Sequence, residues 1–259
     1  MSTAPEFENI VVSVDDNIGE LLLNRPEKLN PLGPRTLMEI AQAAEWFDDN
    51  ESVKVVVVRG AGRAFSAGAD LRGFSGVDPV KRRDLADLGR KMADSLEHMR
   101  PLAIASIHGW CVGGALVLAA ACDLRVTTDT ARFSIPEVDL GIGLAWGGIP
   151  RLVREIGPAL TKELVLTCRE FDPAEAKAAG FVNRVVSTDR LAAEVNELAS
   201  TLASKARYPL FSTKQHVNAV TEQTVGTMRA WSDADGVLVG FSDPECEEAR
   251  QRYLAARSK

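Results

Sequence analysis

Apolar positions along this chain follow two rhythms. Residues 10–14 and 18–23 are short apolar runs split by the turn-forming Asp15, Asp16 and Asn17, which predicts an antiparallel pair of strands. From Pro34 the apolar residues at 37, 40, 41, 44 and 47 keep the 3.6-residue period of an amphipathic helix. Residues 53–58, VKVVVV, then read as a strand buried on both faces, as in a parallel sheet. The alternation repeats through a loop at Gly76, a helix over 79–99, a strand over 102–107, a glycine turn, an apolar helix over 111–123 and a strand over 124–127. This is the order of a layered α/β core.

In 170–186, EFDPAEAKAAGFVNRVV, Asp172 is placed as N-cap, Pro173 at the first helical position and Gly180 past the end. A short helix feeding a strand is expected there. Beyond Asp189 the strand signals stop, and helical periods run on through LAAEVNELASTLASKA and PECEEARQRYLAAR. A boundary near 190 therefore divides an α/β core, 1–190, from a helical region, 191–259, and such a tail is a common place for contact with another subunit.

Composition narrows the function. With 259 residues, 46% of them hydrophobic, the chain can fill a sizeable core. Thirty basic against thirty-six acidic residues leave a net charge of -6, which disfavours nucleic acid and anionic lipid as partners. The four cysteines, Cys111, Cys122, Cys168 and Cys246, make no CxxC pair, and with three histidines no metal-ligand cluster emerges. Reduced thiols, no basic and apolar leader, and no uninterrupted apolar run of about 18 residues predict a cytoplasmic protein.

Two glycine-bearing turns follow buried strands: GAGRAFSAGADL at 60–71 and HGWCVGGALVL at 108–118. Both stand at strand carboxyl ends, where α/β sheets bind ligands. Glycine admits a close approach, and helix starts present free N–H groups to a guest that is or becomes anionic. A dinucleotide fingerprint is discounted, because neither turn has GxGxxG spacing. A serine hydrolase built on Ser66 is the minor alternative, since the first glycine of GxSxG is alanine and no histidine has a partner motif. The third reading is an oxyanion hole made of one backbone donor from each turn.

The stretches LNRPEKLNPL at 23–32, GAGRAFSAGADL at 60–71, SIHGWCVGGALVLAAACDLRV at 106–126 and RFSIPEVDLGIGLAWGG at 132–148 together resemble the crotonase family of enoyl-CoA hydratases and isomerases. The resemblance spans roughly residues 10–220. It implies a crotonase-like α/β spiral of ββα turns, a C-terminal helical trimerisation region, a homotrimer or dimer of trimers, and an acyl-CoA thioester substrate. CoA then arrives with the substrate, and no separate cofactor is expected. Position by position, the resemblance puts the oxyanion donors on the backbone of Ala69 and Gly114. It puts the adenine end of CoA around Ala67, Asp70 and Leu71. Arg25 or Lys28 is the candidate partner of its phosphates, the alternative being an ordinary solvated loop charge.

The hydratases of the family use two glutamates. Here Glu137, in the PE dipeptide, matches one, and Val117 stands in place of the other. Val117 lies three residues beyond Gly114, one helical turn on and on the same face. Glu137 sits among apolar residues, so desolvation is expected to raise its pKa. Asp139 is the nearest substitute carboxylate but is expected to point away, and Asp123 is expected to be structural. One carboxylate suffices for a double-bond shift and penalises hydration, which favours isomerase; a one-glutamate hydratase and a catalytically weak acyl-CoA binder are the alternatives. Ala145 occupies the position where some relatives carry an aspartate, which disfavours dienoyl isomerisation and dehalogenation. Trp110 and Trp146 are candidates to line an acyl pocket, or else core aromatics. Lys214 is expected either to serve structure or to meet a CoA phosphate. The SDPECEEARQRY stretch lacks the glycine of the family's usual ending there, so pocket closure by that segment stays open.

Overall fold

Val55–Gly60 (β3) shows how this chain builds its centre. Side chains alternate along a strand, so Val56 and Val58 enter the main core while Val55 and Val57 face the opposite way. Both faces are covered, which is why a run of valines encodes the strand. The computed structural model describes residues 4–70 and 79–257. In it β1 (Ile10–Asp15) and β2 (Ile18–Leu23) pair antiparallel, and β3, β4 (Leu102–Ile107), β6 (Leu124–Thr128) and β8 (Arg184–Val186) extend the sheet in parallel, in the order β1-β2-β3-β4-β6-β8.

A second, two-stranded parallel sheet joins β5 (Trp110–Val112) to β7 (Arg132–Ser134). The sequence pattern predicts only a turn at 108–113, because three-residue strands are too short for a period-two signal. Single bridges tie Leu32 to Ala69, Ser66 to Cys111, and Phe133 to Phe171. The connections after the strands therefore stack one on another like the turns of a coil.

α1 (Pro34–Asp49) and α2 (Pro79–His98) cover the face that holds Val56 and Val58. On the other face α6 (Leu191–Ala203) lays Leu191, Val195 and Leu198 against Val55, Val57, Ile104 and Val126. The first helix of the 191–259 region thus belongs to the sheet's own packing. α5 (Pro173–Ala178) forms where the cap residues predict it, with the Glu175 N–H donating to the Asp172 side chain at 2.8 Å. α4 (Gly148–Thr167) is absent from the sequence reading. It is interrupted at Gly157, φ 74°, immediately before Pro158, and that pair hides its period.

The apolar helix is shorter than expected: α3 runs Gly114–Ala120, because β5 claims Cys111 and Val112 and Gly113, φ 53°, takes a non-helical conformation. Past its end Asp123 accepts from the Ala103 N–H at 2.7 Å and from Lys214 Nζ at 2.9 Å. Asp123 is structural, as expected, and Lys214 is committed to it: the lysine on α7 (Arg207–Thr224) is buried and also donates to the Pro101 carbonyl at 2.9 Å. That answers the alternative of a CoA phosphate, since the ammonium has no route to solvent. α8 (Asp233–Ser242) then packs on α2, and α9 (Pro244–Arg257) follows it.

Lys214→Met should cost about 3 kcal/mol, because it strips the half-buried Asp123 carboxylate of its charge partner. Urea denaturation of the two proteins at neutral pH checks this, and equal midpoints would contradict it.

Candidate active site

The two glycine turns are pressed together along their backbones. The Ser66 N–H donates to the Trp110 carbonyl at 3.0 Å and the Val112 N–H to the Ser66 carbonyl at 3.2 Å. Gly68, φ 86°, sits so close that a Cβ there would stand 2.3 Å from the Val112 oxygen and 3.5 Å from the Gly114 nitrogen. Only glycine fits, on both conformation and contact. The turn amides are otherwise engaged: Asp70 N–H donates to Leu32 O at 3.2 Å, Gly113 N–H to Ser134 O at 2.9 Å and Leu116 N–H to Gly113 O at 2.8 Å. Among the described residues, the Ala69 and Gly114 N–H groups take no part in these turn bonds, and Gly114 opens α3, where no intrahelical acceptor exists. Both residues line one apolar pocket of about 450 Å3 of atom-free space, its open mouth included.

Glu137 is the carboxylate of that pocket. It lies in a turn closed by the Leu140 and Ile142 N–H groups donating to its carbonyl at 3.1 and 3.0 Å. Its side chain is buried at 8% exposure and packs on Gly113, where a Cβ would stand 2.3 Å from Oε1. Its Oε2 finds no hydrogen-bond partner. Burial pushes the carboxyl up from 4.5 to about 7. A buried polar atom left unsatisfied is expensive, and such an atom aimed into a pocket marks a place for a proton or a ligand.

Val117, fully buried on α3, lines the same pocket as Gly114 and Glu137, as the helical spacing predicts. A carboxylate at 117 would face Glu137 across the site; the valine removes it. Trp146 joins the lining, 7% exposed, whereas Trp110 does not. Trp110 alternates outward on β5, 37% exposed, while its neighbour Cys111 takes the inward position. Asp139 is exposed and outside the lining, turned away by the tight turn after Glu137 rather than by an extended segment.

Ser66 is no nucleophile. It is fully buried, its hydroxyl donates to the Asn30 carbonyl at 2.6 Å and accepts from the Gly68 N–H at 3.1 Å, so its role is to shape the turn. The nearest histidine of the turns, His108, bonds the Gly62 carbonyl instead. Asn30, which the sequence reading passed over, braces the same turn by donating to the Ala61 and Ala64 carbonyls at 2.9 Å. It lies in the LNRPEKLNPL stretch that carries the resemblance, but nothing in its neighbours announces partners 31 and 34 residues away.

Ala67 is exposed and its N–H donates to the Leu29 carbonyl at 2.8 Å, which sets the AGAD turn beside the loop of Arg25 and Lys28. Arg25 is half-buried and Lys28 exposed on the 3-10 turn Pro26–Lys28, with Asp70 half-buried across from Gly33. Leu71 lies outside the described residues. The start of α9 reaches the site's edge despite its missing glycine: a Cβ on Gly141 would stand 2.3 Å from the Cys246 carbonyl, and Arg250 donates to the Leu140 carbonyl at 3.2 Å.

Residues 13–258 match the model of the enoyl-CoA hydratase/isomerase family. The crotonyl-CoA hydratase of Syntrophomonas wolfei is 32% identical over 97% of this chain and 96% of its own. A peroxisomal Delta(3,5)-Delta(2,4)-dienoyl-CoA isomerase of Arabidopsis thaliana is also 32% identical, over 90% of each. The structure of an enoyl-CoA hydratase/isomerase from Xanthobacter autotrophicus superposes with a TM-score of 0.87 at 30% identity, covering 97% of this chain and 96% of that one.

A carboxyl raised on folding stabilises the protein only while it is protonated, below its ordinary 4.5, and the contribution is lost as pH climbs through about 7. Glu137→Gln removes that dependence. Between pH 4.5 and 8 the wild type should therefore lose about 3 kcal/mol relative to the variant, read from urea midpoints across the range. Parallel curves would show that Glu137 titrates normally.

Proposed function

This chain belongs to the enoyl-CoA hydratase/isomerase family, and on that premise we propose that it isomerises the double bond of an enoyl-CoA thioester, with Glu137 carrying the proton. The observation that carries the proposal is an apolar pocket lined by Ala69, Gly114 and Glu137, the first two with N–H groups outside the turn hydrogen bonds, with Val117 where a second carboxylate would stand. The thioester carbonyl of a 3-enoyl-CoA accepts from the Ala69 and Gly114 N–H groups. The ionised Glu137 takes a proton from C2, the electrons of that C–H bond move into the conjugated system, and the charge gathers on the carbonyl oxygen as a dienolate. The two amides, fixed before the charge develops, stabilise it; losing one such donor typically costs about 3 kcal/mol. The protonated Glu137 returns its proton at C4, leaving a 2-enoyl product and the same carboxylate.

The chemistry draws on no cofactor beyond the CoA of the substrate. Its adenine end is assigned to Ala67, Asp70 and Leu71 and its phosphates to Arg25 or Lys28. Exposed apolar residues along α7, Val217 at 59% and Val220 at 63%, support assembly as a homotrimer or dimer of trimers. Among the described residues no helix is long and apolar enough to cross a membrane.

Most of the relatives' names favour a second reading, a hydratase working with one glutamate. Water would then have to be activated and C2 protonated by the same carboxyl. A catalytically weak binder is the third.

Assays with 3-enoyl-CoA and 2-trans-enoyl-CoA separate the three. Isomerisation should exceed hydration, its kcat/KM should rise with pH and level off above about 7 as Glu137 ionises, and Glu137→Gln should lower kcat by at least about 100-fold. Hydration that outpaces isomerisation would install the second reading, and affinity without turnover the third. Val117→Glu should raise hydration relative to isomerisation by about tenfold or more, and an unchanged ratio would overturn the missing-carboxylate account.

A further inference from the structure

Trp146 is held in an unusual way. Its φ of 63° is one that bulky side chains seldom adopt, and the Gly147 that follows has φ 70°. The strained pair is clamped from both sides. Arg151 donates to the Trp146 carbonyl at 3.1 Å and to the Gly147 carbonyl at 3.3 Å, and the Gly147 N–H donates to Asp233 at 2.8 Å. Arg151 is itself buried at 1% exposure and fixed by Asp94 and Glu97. Strain of this kind persists only where the surroundings dictate it, and it gathers at ligand sites.

The clamp aims the indole into the gap between α2 and α3. A Cβ on Gly114 would stand 2.2 Å from the Trp146 Cζ3, and one on Gly89 would stand 1.9 Å from its Cδ2. The ring is therefore sandwiched between two glycines, and any side chain at either place would collide with it. One of those glycines bears the amide assigned to the thioester oxygen. The indole thus shares the pocket with that amide, and Ala86 and Val237, both buried, line the space beside it.

We propose that Trp146 is the specificity-determining floor of the acyl pocket, and that it denies this protein the gain in affinity that longer acyl chains would otherwise bring. The inference rests on the reading of the pocket as an acyl-CoA site and not on which reaction occurs there. An apolar pocket that accepts a growing chain gains about fourfold in affinity per methylene, whereas a pocket that ends at the indole gains nothing.

Binding of saturated butanoyl-, hexanoyl-, octanoyl- and decanoyl-CoA, measured by calorimetry, tests the proposal without turnover. For the wild type the dissociation constant should change by less than threefold across the series. Trp146→Ala opens the slot between the two glycines and should bind decanoyl-CoA at least tenfold more tightly than butanoyl-CoA. Trp146→Phe, a milder change, should fall between them, and its profile decides the matter if the alanine variant does not fold. A wild-type affinity that climbs about fourfold per methylene, or folded variants as flat as the wild type, would overturn the proposal. Binding of butanoyl-CoA in those cases would leave the acyl-CoA reading intact; failure of every acyl-CoA to bind would overturn both.

Discussion

The close approach of the 66–69 turn to the 112–114 turn is the contact on which the site depends. Hydrogen bonds between the two backbones hold them in parallel, and glycines 68 and 113 remove the side chains that would force them apart. Each glycine accepts a left-handed φ that would strain any other residue, and each brings a second group within reach: the 112–114 backbone in one case, the Glu137 carboxylate in the other. The conformation that packs the turns also leaves the Ala69 and Gly114 N–H groups outside the bonds between them, and both residues line the pocket. The packing of the turns and the lining of the pocket are one geometric solution.

The electrostatics follow from what surrounds that solution. α3 carries no charge of its own, so the field at its start is that of the backbone alone, and Glu137 faces apolar walls. Desolvation leaves its carboxyl balanced between its two protonation states near neutral pH, which suits a group that takes a proton and gives it back. A second carboxylate at 117 would have split the two titrations apart. With valine there, Glu137 is the one carboxylate among the residues that line the pocket.

Charge elsewhere in the molecule is used to hold positions. Arg151 and Arg154 meet Glu97 in the interior. Burial works to raise that carboxyl, and the two guanidinium groups outweigh it and keep it below its usual range. The same Arg151 carries the Trp146–Gly147 backbone, so an ion-pair cluster beneath the pocket governs where an aromatic ring lies inside it. Lys214 and Asp123 perform a similar task beyond the far end of α3, tying α7 to the sheet.

What the sequence by itself determined were features with local causes. The valine run of β3, the period of α1, the capped Asp172–Pro173 start of α5 and the spacing from Gly114 to Val117 each depend on residues within a few positions, and each appears as expected, β3 two residues further along than its pattern places it. The family likeness rested on ordered motifs of the same local kind, and residues 13–258 match that family. Tertiary structure decided what depends on distant partners. It buried Ser66 against Asn30, turned Trp110 outward and Trp146 inward, and gave Lys214 to Asp123. It also made β5 and β7 from residues too few to show a period, and shortened α3 to meet them. Short-range periods and caps are written in neighbouring residues, whereas the direction of a side chain is set by whichever remote segment packs against it.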